Sequence, residues 1–448
     1  MRVSNNRIGI KRTGWRWLAG SFLGLLSVAT WAQTPAEPPL KRCGTVEFER
    51  LLQQRNPNRL RQVTELNQKV LQVQSAAKLL RLSADETVYR IPIVVHVVHN
   101  TASETIGGAN NHNISTEQIQ SQIEVLNEDY RRKPGTNGYN TSPIGADAGI
   151  EFYLATTYPN GQPSNGITRH YYSKKSSFSI STDDLQLLSQ IAYWPSDRYL
   201  NIWVTTLQSN YLAYTQFPSA ADTLTGLDHV TNESIDGSVV DYRVFGRQPS
   251  TPYSSLYLLG RTVTHEIGHW LGLFHPNGDV DCGDDFVADT PPTDDLNQTT
   301  SCRDILSNCA GKQTRELVEN YLMYSPDACM NMFTAGQVAR MRTVLALSPR
   351  RARLIQSASS PLPETEKLTI NVFPNPATTD PSVDVQLKGT QSFFVDLFDA
   401  AGRQVRTTTY SDSPSTRVLL SVKGLASGLY IVRVKTDSET VSKRLLVQ

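Results

Sequence analysis

The string His265-Glu266-Ile-Gly-His269-Trp-Leu-Gly272-Leu-Phe-His275 constrains this chain more than any other stretch. Histidines at i and i+4 lie on one face of an α-helix, close enough to hold a single ion. The glycine three residues on can adopt backbone angles that other residues avoid, so the chain can leave the helix and swing a third histidine back. Three imidazoles leave one position on a zinc ion open, which is a catalytic rather than a structural arrangement. His265, His269 and His275 are therefore the expected zinc ligands. Glu266, beside the first of them, is the expected general base and then proton donor to the leaving amine. A bound zinc lowers the pKa of water toward ~7 and polarises a carbonyl, the chemistry that peptide hydrolysis requires. The five fixed positions coincide by accident in on the order of one chain in 10⁵, which sets chance aside as their origin.

Such a helix needs a core behind it, and 448 residues allow two or more domains at roughly 150 residues each. Apolar residues make up 39% and charged residues 19%, an ordinary globular balance. The formal net charge of +1 gives no global field for nucleic acid or an anionic membrane, so function falls to a local site. Residues 1–32 read as an export signal: Arg2, Arg7, Lys11, Arg12 and Arg16 precede the apolar run Trp17–Trp31, with a cut expected between Ala32 and Gln33. No later stretch is long and apolar enough for a transmembrane segment in the mature protein. Of five cysteines, Cys282, Cys302, Cys309 and Cys329 fall within 48 residues and Cys43 stands apart. In an exported chain the four imply two disulfides, and spacing leaves all three pairings open.

Along the chain, residues 33–87 look helical and polar, without the apolar density of a separate core. Ile91–Val98 is a nearly continuous β-branched run, a buried strand. Ser115-Thr-Glu-Gln118 is a capping-box pattern opening a helix whose apolar face is Ile119, Ile123, Leu126 and Tyr130. Residues 149–157, 198–206 and 238–245 read as strands, 254–273 as the active helix and 334–347 as a last helix. Interspersed strands and helices give an α/β or α+β catalytic unit of roughly 260 residues. Residues 351–367 have linker composition, and 368–448 alternates short β-branched runs with turns, a small all-β sandwich. His96, His99, His112, His170 and His229 lack ligand spacing and are expected to be structural or surface residues.

With the zinc string, the chain resembles the pappalysin family of the metzincin clan. The blocks that carry the resemblance are IPIVVHVVHN, ISTEQIQSQIEVLNEDYRR, DGSVVDYRVFG, VADTPPT and ENYLMYSPDACMNMFTAGQVARM, spanning roughly 88–350. The resemblance implies a secreted zinc endopeptidase: a metzincin cleft with a twisted sheet and the active helix above and an irregular lower lobe below. The turn beneath the metal falls at Asn320–Tyr324, where the family usually reads Asn-Tyr-Met-Asp-Tyr; Leu322 stands in the methionine's place and keeps an apolar floor. Tyr324 matches the tyrosine that steadies developing oxyanion charge. Residues 279–295 hold seven aspartates and no Lys or Arg. There the family binds structural calcium, and Asp284, Asp285 and Asp289, with Val287 and Thr290, are the candidate Ca²⁺ ligands. The family pattern pairs Cys282 with Cys309 and Cys302 with Cys329.

Arg42-Cys43-Gly44-Thr45 resembles a propeptide switch, in which the Cys43 thiolate ligates zinc and holds residues 33–87 as a latent prosegment until it is removed, with self-cleavage near Arg81. Several relatives cut before Arg or Lys using an acidic residue immediately ahead of the cysteine equivalent to Cys329; here that place is Ala328, with Asp327 one earlier. Residues 368–448 resemble the sorting domain of the type IX secretion system through Phe373-Pro-Asn-Pro376, Leu397-Phe-Asp-Ala-Ala-Gly402, Ala426-Ser-Gly-Leu-Tyr430 and Lys443-Arg-Leu-Leu-Val447. The expected partners are thus protein or peptide substrates and that secretion machinery, and the expected location is extracellular or at the cell surface. The alternative is an inactive exported adhesin stabilised by its metals.

Overall fold

The computed structural model describes residues 40–79, 87–218, 235–248, 255–296, 299–357, 368–387, 391–413, 416–436 and 439–448. The export signal at 1–32, the cleavage expected near Arg81, His229 and the linker from 358 onward lie outside them.

In chain order the catalytic region contains α1 (Thr45–Arg55), α2 (Arg59–Leu79), β1 (Tyr89–His99), α3 (Thr116–Tyr130), β2 (Ile150–Leu154), β3 (Ile167–Tyr171), α4 (Thr182–Ile191), β4 (Leu200–Thr205), β5 (Ala213–Thr215), β6 (Gly237–Asp241), α5 (Arg261–Trp270), β7 (Leu306–Cys309), β8 (Lys312–Arg315), α6 (Ala335–Leu347) and α7 (Pro349–Ser357). The polar stretch ahead of β1 is helical as expected. Pro57 divides it by forcing Asn56 into an extended conformation.

β1 is buried from Ile91 to its end because it is central. It pairs in parallel with β2 along its first half, β3 along its second, and β4 on the other side. β4 pairs in parallel with β6, and β5 closes the sheet as a short antiparallel edge strand. A parallel strand covered on both faces reads as one apolar run instead of an alternation. Ile91, Ile93, Val95 and Val97 pack in the core that includes Ile119, Leu126 and Tyr130 of α3 and Val263 and Ile267 of α5. Val98 faces the opposite layer with Trp203, Tyr214, Leu185, Leu188 and Phe48 of α1.

Ser115 caps α3 by accepting from the Gln118 N–H at 3.1 Å, but the Gln118 side chain leaves the expected box. It donates instead to the Tyr242 and Phe245 carbonyls, tying α3 to the chain after β6. Three other expectations are corrected. The strand of 238–245 ends at Asp241, whose side chain accepts from Arg243 N–H and starts a tight turn. The helix of 254–273 begins only at Arg261, because Gly260 sits at φ +80°. Residues 351–357, read as linker, continue α7, where Arg350 and Arg351 are buried against Asp236.

The C-terminal region is all β, as expected: β9 (Thr369–Phe373), β10 (Ser382–Gln386), β11 (Gln391–Asp399), β12 (Gln404–Ser413), β13 (Thr416–Leu419), β14 (Gly428–Lys435) and β15 (Thr440–Val447). Sheets ordered β13-β10-β9 and β12-β11-β14-β15 enclose one apolar core. No helix among the described residues is long and apolar enough to cross a membrane.

Candidate metal centre

Both ends of α5 are set by glycine. Gly260 O accepts from Gln122 Nε2 at 3.0 Å, and Gly272 at φ +87° turns the chain after the last helical turn. A Cβ on Gly272 would lie 2.8 Å from Val344 Cγ2, so packing and backbone both require glycine. That turn brings His275 back against the helix. The three Nε2 atoms then lie 3.0, 3.1 and 3.2 Å apart, and all three side chains are fully buried.

Each opposite ring nitrogen has an acceptor. The Nδ1–H groups of His265, His269 and His275 donate to Tyr321 O (2.7 Å), Leu273 O (2.7 Å) and Asp279 Oδ1 (2.6 Å). These acceptors set the tautomer and leave three lone pairs converging, which repel unless a cation lies among them. An N···N edge of 3.1 Å corresponds to about 1.9 Å from vertex to centre of a regular tetrahedron, close to a zinc–imidazole bond of ~2.0–2.1 Å. Burial pushes His265 far below its usual range and His269 down to about 3, keeping both in the neutral, ligating form. The donor set fits zinc.

The floor is built from the turn after β8. Leu322 presses on α5 at Gly268, where an added Cβ would lie 3.0 Å from Leu322 Cδ2. Asn320 Oδ1 accepts from Leu322 N–H at 2.9 Å, and Asn320 pairs twice with Gln337, itself part of the capping box of α6. Asp129 of α3 accepts from Tyr321 Oη (2.8 Å), Thr264 Oγ1 (2.8 Å) and Arg261 Nη2 (3.2 Å), joining the turn to the helix. Tyr324 stands half-buried beside the ligands, its ring 5.2 Å from that of His275 and edge-on. Burial and the neighbouring Cys43 and Glu266 push its phenol well up, so it stays a neutral donor.

Cys43 is placed to be a fourth donor: its sulfur and the three imidazoles form a buried group within 4.8 Å of one another. Its segment lies along the edge strand, with Gly44 N–H donating to Ala213 O at 2.9 Å and Leu212 N–H to Lys41 O at 2.9 Å. A Cβ on Gly44 would come within 2.0 Å of Ile180 Cδ1, so a larger residue here must displace that side chain. Burial first, then the Glu266 carboxylate, push the Cys43 thiol up, so a thiolate here needs a cation beside it.

Two neighbours of Cys43 reach parts of the site that sequence reasoning did not connect. Thr45 Oγ1 donates to Glu266 Oε2 at 2.8 Å and accepts from Thr215 N–H at 2.9 Å. Burial pushes the Glu266 carboxyl up to about 8, the Thr45 bond opposing, and its other oxygen has no partner. Arg42 is buried with its Nη2 3.0 Å from Asp327 Oδ1, while Ala328 is exposed. Asp279, one of the acidic residues of 279–295, lies four residues beyond His275, and that spacing is the signal of its bond to the ligand.

Both disulfides match the family pairing, Cys282–Cys309 and Cys302–Cys329. The calcium candidates are only partly brought together. Asp285 Oδ1 accepts from Val287 N–H and its Oδ2 from Thr290 Oγ1, and Thr290 also donates to Val287 O. Asp284 accepts from Phe286 N–H. Asp289 faces away, capping α6 through Thr334 Oγ1 (2.7 Å) and Gly336 N–H (2.8 Å). Among the described residues, no group of three acidic side chains converges in this loop.

Comparison with known proteins decides the family. Residues 189–346 match the peptidase family described as Pregnancy-associated plasma protein-A, and 371–448 match the secretion system C-terminal sorting domain. An extracellular metalloprotease of Verticillium alfalfae is 30% identical over 256 residues, covering 56% of this chain and 76% of that protein. The chain belongs to the pappalysin family. Extracellular metalloprotease 1 of Coccidioides posadasii, 30% identical, shares 62% of this pappalysin and 84% of its own length. Among solved structures, a Tannerella forsythia promirolysin mutant is 34% identical with a TM-score of 0.56, covering 72% of this chain and all of that one. Mature mirolysin with a cleaved peptide is 38% identical, TM-score 0.51, covering 61% and 99%. This pappalysin is thus a metalloendopeptidase of metzincin fold, exported to the outside of the cell or its surface with a sorting domain of the type IX system.

Proposed function

We propose that this pappalysin is a zinc endopeptidase held latent by the segment around Cys43, and that its active form cuts before arginine or lysine. One observation carries the reading: Arg42, Cys43 and Thr45 engage Asp327, the histidine cluster and Glu266 at once, within four consecutive residues. His265, His269 and His275 hold the metal, and Cys43 supplies the fourth ligand in the latent form. Zinc, when bound, supplies the electrophile and the acidified water of peptide hydrolysis. Glu266 takes the proton from that water and returns it to the leaving amine once Thr45 has left its carboxylate. Tyr324 donates to the developing oxyanion, and Leu322 fixes the imidazoles from below.

Latency is supported by the likeness to the precursor of mirolysin, which spans more of this chain than the mature form does. α2 continues the cover, with Leu66 and Val70 packed on Val344 of α6 and Asn67 bonded to Arg340. The proposed domain limits are signal 1–32, prosegment 33–87, a catalytic unit from 88 through α7 to 357, since Leu354 lies in its core, and sorting domain 368–448. Basic specificity is supported by the buried Arg42–Asp327 pair. Calcium in the acidic loop is supported by Asp285, whose carboxyl burial and the neighbouring Asp284 push up to about 7 despite the opposing Arg340.

The test is casein hydrolysis by the processed chain beside Glu266→Ala, with and without a zinc chelator. Activity is expected to fall by at least about 10³-fold in the variant and to vanish on chelation. Equal activity in the two proteins, or full activity without metal, refutes the mechanism; no hydrolysis by either protein favours the inactive exported adhesin.

A further inference from the structure

We propose that the pocket filled by Arg42 reads the planar guanidinium and not merely positive charge, with Tyr257 as the discriminating residue, so that the enzyme prefers arginine to lysine beside the scissile bond. This rests on the reading of Asp327 as the acidic base of that pocket.

Asp327 alone does not separate the two side chains. Its Oδ2 is held by the N–H groups of Leu259 (2.9 Å) and Arg261 (3.2 Å), and Oδ1 faces Arg42. One carboxylate oxygen accepts from an ammonium as readily as from a guanidinium. The remaining contacts depend on a flat, forked group. Nη1 of Arg42 donates to the carbonyl of Ser325, while Nη2 turns to Asp327 and also lies 3.1 Å from Met330 Sδ. The guanidinium carbon sits 4.8 Å from the centre of the Tyr257 ring.

An ammonium has no face to lay on a ring and sheds water reluctantly, whereas guanidinium stacks well and is weakly hydrated. Arg42 is 2% exposed and Tyr257 6%, so water is excluded and the ring's attraction for a cation is undiluted. Arg42 stands in for a substrate side chain because it adjoins Cys43, which occupies the metal's open position, and so fills the subsite next to the reacting bond.

Processed, zinc-loaded enzyme made from the full chain is given matched peptides with Arg, Lys or citrulline after the scissile bond. Arg is expected to exceed Lys in kcat/KM by about 3- to 30-fold, the range of a desolvated cation–ring contact. Citrulline, flat but uncharged, is expected to fall below both. Tyr257→Phe keeps the ring and is expected to keep the ratio; Tyr257→Leu is expected to bring it toward one. Equal rates on Arg and Lys by the unmodified enzyme overturn the proposal without any variant. An unchanged ratio in Tyr257→Leu also overturns it, and if Asp327→Asn meanwhile abolishes basic preference, the reading of Asp327 stands. Cleavage that ignores all three side chains overturns both.

Discussion

Replacing Thr45 with valine asks whether the proposed latency is held by sulfur alone. Valine is close to threonine in shape, so the change removes one buried hydroxyl with little repacking. Two bonds go: the donation to Glu266 Oε2 at 2.8 Å and the acceptance from Thr215 N–H at 2.9 Å. A hydrogen bond to a charged group is worth about 1.5–3 kcal/mol, and an orphaned buried N–H costs about 1–3 kcal/mol. Taking the lower end of each gives roughly 2.5 kcal/mol against docking. That is on the order of a 100-fold larger open fraction. Cys43 is the chain's one free cysteine and is buried, so reaction with a thiol reagent under native conditions reports that fraction. Labelling is expected to run about 100-fold faster in Thr45→Val, with a shortened activation lag, and near the original rate in Thr45→Ser. Labelling within about threefold of the unmodified precursor refutes the reasoning and leaves the thiolate–metal contact as the whole lock.

Two further outcomes follow from buried ionisable groups. Burial holds His96, bonded to Thr168 and Asn201, down to about 4, against 6.5 when unfolded. The unfolded chain therefore binds the extra proton between those values. Stability is full above pH 6.5 and falls by roughly 3 kcal/mol on descending to pH 4; chemical denaturation across that window is expected to show the slope, flattened in His96→Gln. For Asp285, raised to about 7, a proton competes with any cation below that pH. Millimolar calcium is expected to raise the Tm more at pH 8 than at pH 5, and to do so hardly at all in Asp285→Asn; an equal increment in the variant moves calcium elsewhere.

What the sequence made legible was what a local spacing can carry. The i, i+4, i+10 histidines, the apolar face of α3 and the continuous run of β1 each state their geometry within a dozen residues. The unread elements were short or weakly patterned: β5 has three residues, α4 ten, and the β7–β8 hairpin is mostly exposed. α7 was hidden because its arginines look like solvated charge and are in fact buried on Asp236. The partners that finish the site were illegible for another reason. Thr45 and Glu266 are 221 residues apart and Arg42 and Asp327 are 285 apart, distances over which one sequence carries no pairing signal.

On the proposed reading of Asp327 as the base of the specificity pocket, alignment by position misleads where geometry does not. Judged by distance from Cys329, the acidic residue is one place off and Ala328 leaves the pocket without charge. In the folded chain Asp327–Cys329 is a single turn of 3₁₀ helix, in which successive side chains point about 120° apart. The Cys302–Cys329 bond anchors one end of that turn, and the N–H groups of Leu259 and Arg261 hold Asp327 Oδ2 at the other. With both ends fixed, the residue that faces inward is the one the backbone donors select, and Ala328 is turned to solvent. A carboxylate moved to position 328 would start from the outside of that turn. The double change Asp327→Ala with Ala328→Asp therefore tests whether register or direction sets the specificity of this enzyme, and direction predicts that basic preference is lost.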